Sequence, residues 1–448
     1  MEGLEKKYDT LLTRPSDDSG LKGFNLHLNI DGLIQLKIEK ILEKYRLVSK
    51  AKRAVAIFIE VNSGKIIAMA NTPGFDSNHY QRYKLKFRNN LAIRHNYEPG
   101  STFKVFIAAA LLSEKLINHK QKFICPGKIE LKNSVIKCSS VHGKLTLEQI
   151  IKHSCNVGII KAASMIPPHL LYKYLIAFGF NQKTGIDLVG ETSGNIPNFK
   201  NWDYSSMYFY PIGQGLSITP IQLVRALAGI VAGGQLYKPY IASYFSNSFG
   251  EITKTFNPSP LRKVINSNIS KILISYMQEV VKGGTGSLAG ISGFDIAGKT
   301  GTGQISGKSG YIKGAYTSSF MGIYPGYNPQ IAGLVLFDRP VAPYSGGGLA
   351  APAFGEIIES IIPLIYSEKN IDFKELKKLK FEYSKLNLEK VPNFKGKSLK
   401  EVLFILQFLK TEFKISGSGY VVSQKPAAGS KLKKSDKIFI KLNVPKTF

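Results

Sequence analysis

The 448-residue chain reads as an α+β protein, and three observations predict that class. Strand-like segments come early, helical segments fill the middle and strand-like segments return late, so both ends of residues 26–366 should close one sheet. The composition, 44% hydrophobic, 11% aromatic and 20% charged, is that of a globular chain rather than a disordered one. A separate pattern after residue 390, one helix and three strand-like runs, reads as a small α+β module of its own.

Residues 1–25 are polar, and Ser16 to Gly23 reads as a linker. An alternating strand, Asn25–Ile30, precedes an amphipathic helix from Leu33 to Tyr45. Strands at Ala54–Ile59 and Lys65–Ala70 are joined at Asn62-Ser-Gly64, a hairpin signal. Helices follow, interrupted by Pro126 to Lys137, which reads as a hairpin turning at Lys132-Asn-Ser134. Strands return at Ala315–Tyr324 and Gln330–Asp338. Residues 367–390 are a Lys/Glu-rich linker. In the module 391–445, Ser398-Leu-Lys-Glu401 is a capping box opening a helix to Lys410, and Lys425-Pro-Ala-Ala-Gly429 is a turn.

The formal charge of +29 favours acidic surfaces such as nucleic acid, anionic lipid or an anionic polymer. No run of five like charges and no aromatic-basic motif occurs, so no nucleic-acid partner is expected. The longest apolar run, Val105 to Leu112, has eight residues, so no membrane-spanning helix is expected. The start, MEGLEKKYDT, has no apolar core and does not read as a signal peptide. Cys125, Cys138 and Cys155 lack CxxC spacing, and the His residues show no zinc-ligand pair, so no metal site is expected. Cys125 and Cys138 flank the hairpin and should face each other, as a disulfide or as two small buried thiols, with Cys155 unpaired.

Chemistry concentrates at three places. Glu98-Pro-Gly-Ser-Thr-Phe-Lys104 precedes a nearly all-apolar helix. Ser101 there is an N-cap by the plain reading. By the functional one, Lys104 lies one turn on, on the same face, and is desolvated toward a neutral amine able to accept the Ser101 proton. Ser19, Ser49, Ser134 and Ser430 also have Lys at i+3, but none precedes a buried helix. Ser154-Cys-Asn156 follows a helical segment, Thr146 to Lys152; these are ordinary cap residues, or a proton relay at Ser154 and a carbonyl-holding amide at Asn156.

The third place is Gly298-Lys-Thr-Gly-Thr-Gly303. Gly293-x4-Gly298-Lys299-Thr300 matches a P-loop literally, with Leu334 to Asp338 as an acidic strand end. The context fails, because Gly/Ser-rich sequence precedes it and no helical period follows. The alternative is a strand, Phe294 to Thr300, lining a cleft with Lys299 and Thr300, where Gly301 lets a substrate backbone approach. A second Lys-Thr-Gly, residues 183–185, looks structural.

Together, Tyr97-Glu-Pro-Gly-Ser-Thr-Phe-Lys104, Ser154-Cys-Asn156 and Ala297-Gly-Lys-Thr-Gly-Thr-Gly303 resemble the active-site motifs of penicillin-binding proteins, in that family's order. Gln214 to Gln222, Phe178-Gly-Phe180 and Gly185-Ile-Asp187 add to the likeness, which fits the monofunctional class B, division-type transpeptidases best. Val391-Pro-Asn-Phe-Lys-Gly396 opens a segment similar to a PASTA domain. The resemblance implies the penicillin-binding/β-lactamase-like fold, an antiparallel sheet flanked by helices, over about residues 26–366.

By matching position it implies Ser101 as acylated nucleophile, Lys104 as general base, and Ser154 and Asn156 as the second motif. Lys299, Thr300 and Gly301 would bind the carboxylate and backbone of a stem peptide or of penicillin. The N–H groups of Ser101 and Thr302 would form the oxyanion hole, about 3–4 kcal/mol per donor. The reaction implied is peptidoglycan D,D-transpeptidation, without a cofactor, at the extracytoplasmic membrane face with wall-synthesis or divisome partners. Members of this class usually begin with a cytoplasmic tail, a membrane helix and a pedestal domain. Gly3 to Tyr8 looks like the end of that pedestal, so this chain would begin inside the usual architecture, without an anchor. The same motifs serve D,D-carboxypeptidases and β-lactamases, although no deacylating base is identifiable between the second and third motifs. A catalytically inactive wall-binding scaffold is a further alternative, opposed by intact Ser101, Lys104, Asn156 and Lys299.

Overall fold

The computed structural model describes residues 3–13, 23–368 other than 133, 293, 308 and 309, and then 390–397, 402, 406, 412–417, 420–432 and 437–443. Residues 16–22 of the linker expected at 16–23, residues 369–389 of the one expected at 367–390, and all but Val402 and Leu406 of the helix expected over 398–410 lie outside those residues. The chain divides into two compact units, Met1–Ile358 and Glu359–Phe448.

In the first unit, strands from the two ends of the segment pair as expected. The strands are β1 (Arg53–Glu60), β2 (Ile66–Thr72), β3 (Ala297–Gly307), β4 (Gly310–Tyr324) and β5 (Ile331–Asp338). They form an antiparallel sheet in the order β3-β4-β5-β1-β2. Central β5 is buried at every residue, because both faces of the sheet are covered. It pairs with β1 end to end, Ile331 opposite Glu60 and Asp338 opposite Arg53, and Arg53 Nη2 donates to the Asp338 carboxylate at 2.8 Å. The third-motif strand begins at Ala297, not Phe294, and runs on to Gly307. Its glycine-rich end is a strand because β4 supplies ladder partners that local sequence does not disclose. Asn25–Leu28 is a strand too, paired with Ala242–Ser246 in a separate small sheet.

The helices that build the core and the site include α1 (Gly32–Ser49), α2 (Lys104–Ser113), α3 (Leu147–Lys152), α4 (Asn156–Ala163), α5 (Pro220–Val231), α6 (Ser267–Gly283) and α7 (Ala351–Glu368). In α1 the Asp31 carboxylate caps the Leu33 and Ile34 N–H groups, and Ile34, Ile38 and Leu42 face inward at one-turn spacing. Helices α2 and α5 are buried nearly all round and form the middle of the core with α4. The stretch Gly346–Ile365 is long and apolar enough to cross a membrane by length and composition, but 61% of it is buried. Phe354 within it packs on Phe58 and Phe320 of the sheet, as a core helix does.

Among its described residues the second unit holds three strands, β6 (Glu412–Ser416), β7 (Tyr420–Lys425) and β8 (Lys437–Asn443). Central β8 runs parallel to β6 and antiparallel to β7. Val402 and Leu406, one helical turn apart, are buried in one cluster with Val421, Ile438, Ile440 and Leu442.

Candidate active site

Ser101 sits in a single 3-10 turn, Gly100–Phe103, that leads into α2. It is not an N-cap: its side chain makes no capping hydrogen bond, and the helix is entered through the turn. Gly100 has φ +56°, a conformation that favours glycine, and its N–H donates to the Gly213 carbonyl at 3.0 Å. Tyr97 and Ile218 exchange backbone hydrogen bonds at 3.0 Å, so the segment 213–218 braces the turn from behind. That is the structural work of the Gln214–Gln222 motif.

Lys104, one turn beyond Ser101, has no solvent exposure. Its Nζ donates to the Ser154 carbonyl and to Asn156 Oδ1, both at 2.6 Å, and lies 3.4 Å from Ser154 Oγ. Desolvation lowers its pKa from 10.5 to about 8, against the opposing pull of nearby cysteines. Ser154 and Asn156 meet it from the turn between α3 and α4. Thr146 opens α3 with a capping box, and Cys155 caps α4. Ser154, between them, is held at φ +55°, uncommon for a side chain with a Cβ.

Lys299, on edge strand β3 opposite Met321, is likewise fully buried. Its Nζ donates to Ser154 Oγ at 3.0 Å, to the Thr300 carbonyl at 3.1 Å and to Thr300 Oγ1 at 3.2 Å. Burial first, and then the charge on Lys104, push its pKa well below the ordinary value. Ser154 Oγ thus stands between two buried amines from helix and sheet, and the partners of both amines are neutral. Thr300 Oγ1 is also 2.8 Å from Thr285 Oγ1, and Thr302 Oγ1 accepts the Gly346 N–H at 3.0 Å.

Gly301 is glycine for a reason that spacing alone does not reveal. A Cβ there would lie 2.4 Å from Ser319 Oγ, 2.9 Å from Thr102 Cγ2 and 3.0 Å from the Pro99 carbonyl. The close approach is therefore to the Ser101 turn itself. A Cβ on Gly100 would likewise stand 3.0 Å from the Thr302 carbonyl, so the chain segments of both expected oxyanion donors are neighbours.

Glu98 escaped the sequence reading. Its carboxylate accepts the Gly215 N–H at 3.2 Å and the Tyr311 hydroxyl at 3.0 Å, tying the Ser101 turn to β4, and burial raises its pKa. The Lys183-Thr-Gly185 loop is structural: Thr184 and Gly185 bind the Glu191 carboxylate. The P-loop reading fails on geometry, since Lys299 and Thr300 lie within a strand and no helix starts there; Gly293 is outside the described residues.

The cysteines match the thiol form of the expectation, with Cys155 unpaired but near. All three are free thiols. Cys125 and Cys138 do face each other, Sγ to Sγ 3.7 Å, but Cys155 does not stand apart, being 3.7 Å from Cys138.

The fold and site define a penicillin-binding transpeptidase domain. The family model of that name matches residues 54–359, and the chain belongs to that family. A PASTA domain matches residues 389–444. The chain is 32% identical over 426 residues to stage V sporulation protein D of Bacillus subtilis, covering 94% of this chain and 65% of the relative. It is 30% identical over 383 residues to the peptidoglycan D,D-transpeptidase FtsI of Escherichia coli K12, covering 81% and 63%. It thus spans a little under two thirds of each relative's length. Penicillin-binding protein 3 of Mycobacterium tuberculosis, complexed with aztreonam, superposes with a TM-score of 0.75 at 26% identity, over 82% of this chain and 85% of that one.

Proposed function

We propose that the chain is a serine-type peptidoglycan D,D-transpeptidase of division-type wall synthesis that also binds penicillin covalently. The observation that carries this reading is the convergence on Ser154 Oγ of Lys299 and of Lys104, which lies one helical turn beyond Ser101. A neutral Lys104 amine has two N–H groups and one lone pair. With both N–H groups committed to the Ser154 carbonyl and Asn156 Oδ1, the lone pair remains to accept the Ser101 proton, directly or through Ser154 Oγ at 3.4 Å.

Ser101 Oγ then attacks the carbonyl of the D-Ala-D-Ala bond while its proton passes to Lys104 Nζ. The tetrahedral oxyanion rests on the Ser101 and Thr302 N–H groups. The C–N bond breaks, and D-Ala leaves with a proton returned from Lys104. An amine of a neighbouring stem attacks the ester, and Ser101 regains its proton. Lys299, with Thr300, faces the substrate carboxylate. By family, the enzyme acts outside the cytoplasmic membrane, with wall-synthesis or divisome partners.

The test is reaction with a fluorescent penicillin and with a synthetic stem peptide ending in D-Ala-D-Ala, with and without a D-amino acid acceptor. A stable adduct on the Ser101 peptide and an exchanged peptide product are expected. Rapid turnover of the penicillin would favour a β-lactamase, D-Ala release without exchange a carboxypeptidase, and no reaction a scaffold.

A further inference from the structure

Beside the Ser101–Lys299 constellation, Cys125, Cys138, His142 and Cys155 bring their ligand atoms within 4.8 Å of one another. Cys125 Sγ is 3.7 Å from Cys138 Sγ and 3.5 Å from His142 Nδ1, and Cys138 Sγ is 3.7 Å from Cys155 Sγ. These three separations match edges of a tetrahedron around one ion, and the remaining pairs lie within 4.8 Å. With Zn–S about 2.3 Å and Zn–N about 2.0–2.1 Å, ideal S···S and S···N edges are roughly 3.8 and 3.6 Å. A chain of S–H···S bonds would account for the two Cys138 contacts, but a shared centre also accounts for the His142 nitrogen gathered with all three thiols. From this geometry we propose that Cys125, Cys138, His142 and Cys155 form a closed zinc site.

The donor set selects the metal. Thiolates with one imidazole suit Zn²⁺, while Mg²⁺, Ca²⁺ and Mn²⁺ prefer oxygen ligands. The Val157 N–H lies 3.3 Å from Cys138 Sγ and the Gly158 N–H 3.2 Å from Cys155 Sγ, backbone donors of the kind that stabilise metal-bound thiolate. Cys125 and Cys155 have no solvent exposure, so the site is largely closed to water. On binding, each thiol releases its proton, four ligand-to-metal bonds form, and nothing is oxidised or reduced. The sequence offered one overlooked sign, Cys138-Ser-Ser-Val-His142; the other ligands sit one hairpin and one helix away.

The position gives the site a role. Cys155 lies between Ser154 and Asn156, and the Asn156 Nδ2 donates to the Lys137 carbonyl next to Cys138 at 2.9 Å. The ion pins the hairpin Lys128–Lys137 to the start of α4, holding Ser154 at its positive φ and Asn156 Oδ1 on Lys104. It is a positioning element that touches no substrate; this role, unlike the metal site itself, rests on the transpeptidase reading.

The full chain, purified reduced, is loaded with ZnCl₂ or CoCl₂ and dialysed. One retained equivalent of zinc is expected, with the intense visible bands of tetrahedral thiolate-bound Co²⁺. Cys138→Ser and His142→Ala should each weaken binding about tenfold or more. His142 is half-buried, so its variant serves if Cys138→Ser does not fold. Chelating the zinc should slow penicillin acylation about tenfold or more without loss of helical circular dichroism. A reduced chain that retains no zinc, an octahedral Co²⁺ spectrum, or binding unchanged in both variants would overturn the site. So would a chain lighter by two hydrogens through a Cys125–Cys138 disulfide that resists reductant. Unchanged acylation after chelation would overturn the positioning role alone. Zinc retained without penicillin binding would uphold the site while sinking the catalytic reading.

Discussion

Around Ser154, two lysines without solvent exposure are held by hydroxyls, carbonyls and an amide. In β8 of the C-terminal unit, Lys437, Lys441 and Asn443 turn outward while Ile438, Ile440 and Leu442 turn inward. The second arrangement is what folding alone favours, because no ionisable group loses its water. The first opposes folding, since an amine buried beside neutral partners surrenders its charge far more easily than one in water. A unit that keeps two such amines, converging on one hydroxyl, is organised around their chemistry; the C-terminal strands are organised around their core.

The sharpest way to break this contrast is Ser101→Ala. It should abolish the penicillin adduct, read by mass spectrometry of the Ser101 peptide. Because the Ser101 side chain caps nothing, the thermal midpoint should hardly move. Lys104→Ala comes next, with an acylation rate lower by a factor of about 10²–10⁴, the usual worth of a positioned base. In the unaltered protein the base must be neutral, so acylation should rise with pH through about 8 and level off above it. A rate flat between pH 6 and 10 would sink Lys104 as the base.

Lys299→Ala should act more mildly. Losing its hydrogen bonds to a substrate carboxylate costs about 1.5–3 kcal/mol, seen as weaker recognition with the Ser101 adduct still formed. In the other unit, Ile440→Ala should cost about 2–5 kcal/mol of local stability, measured by hydrogen exchange in β8, and leave acylation unchanged. The smallest effect should follow from ending the chain after residue 368, which removes no group of the Ser154 cluster. A marked loss of acylation there would show that the two units are not independent in function.

Local period and turn chemistry made much of this protein legible. Leu33 to Tyr45 announces α1 through spacing, Asn62-Ser-Gly64 announces the β1–β2 hairpin, and the apolar run after Lys104 announces a helix that buries its lysine. The three motifs marked the site because each sits at a helix start or on a strand. What a single segment could not disclose depends on chains far apart in sequence. Ladder pairing with β4 turned the glycine-rich Thr302–Gly307 into strand, and the approach of the Ser101 turn explains Gly301. Ser154 Oγ acquires its meaning only when α2 and β3 deliver amines to it. Apart from Cys138 and His142, the cluster of Cys125, Cys138, His142 and Cys155 carries no local spacing, yet packing gathers its ligand atoms within 4.8 Å of one another. Periodicity is written residue by residue, whereas burial and distance between remote side chains are properties of the packed whole.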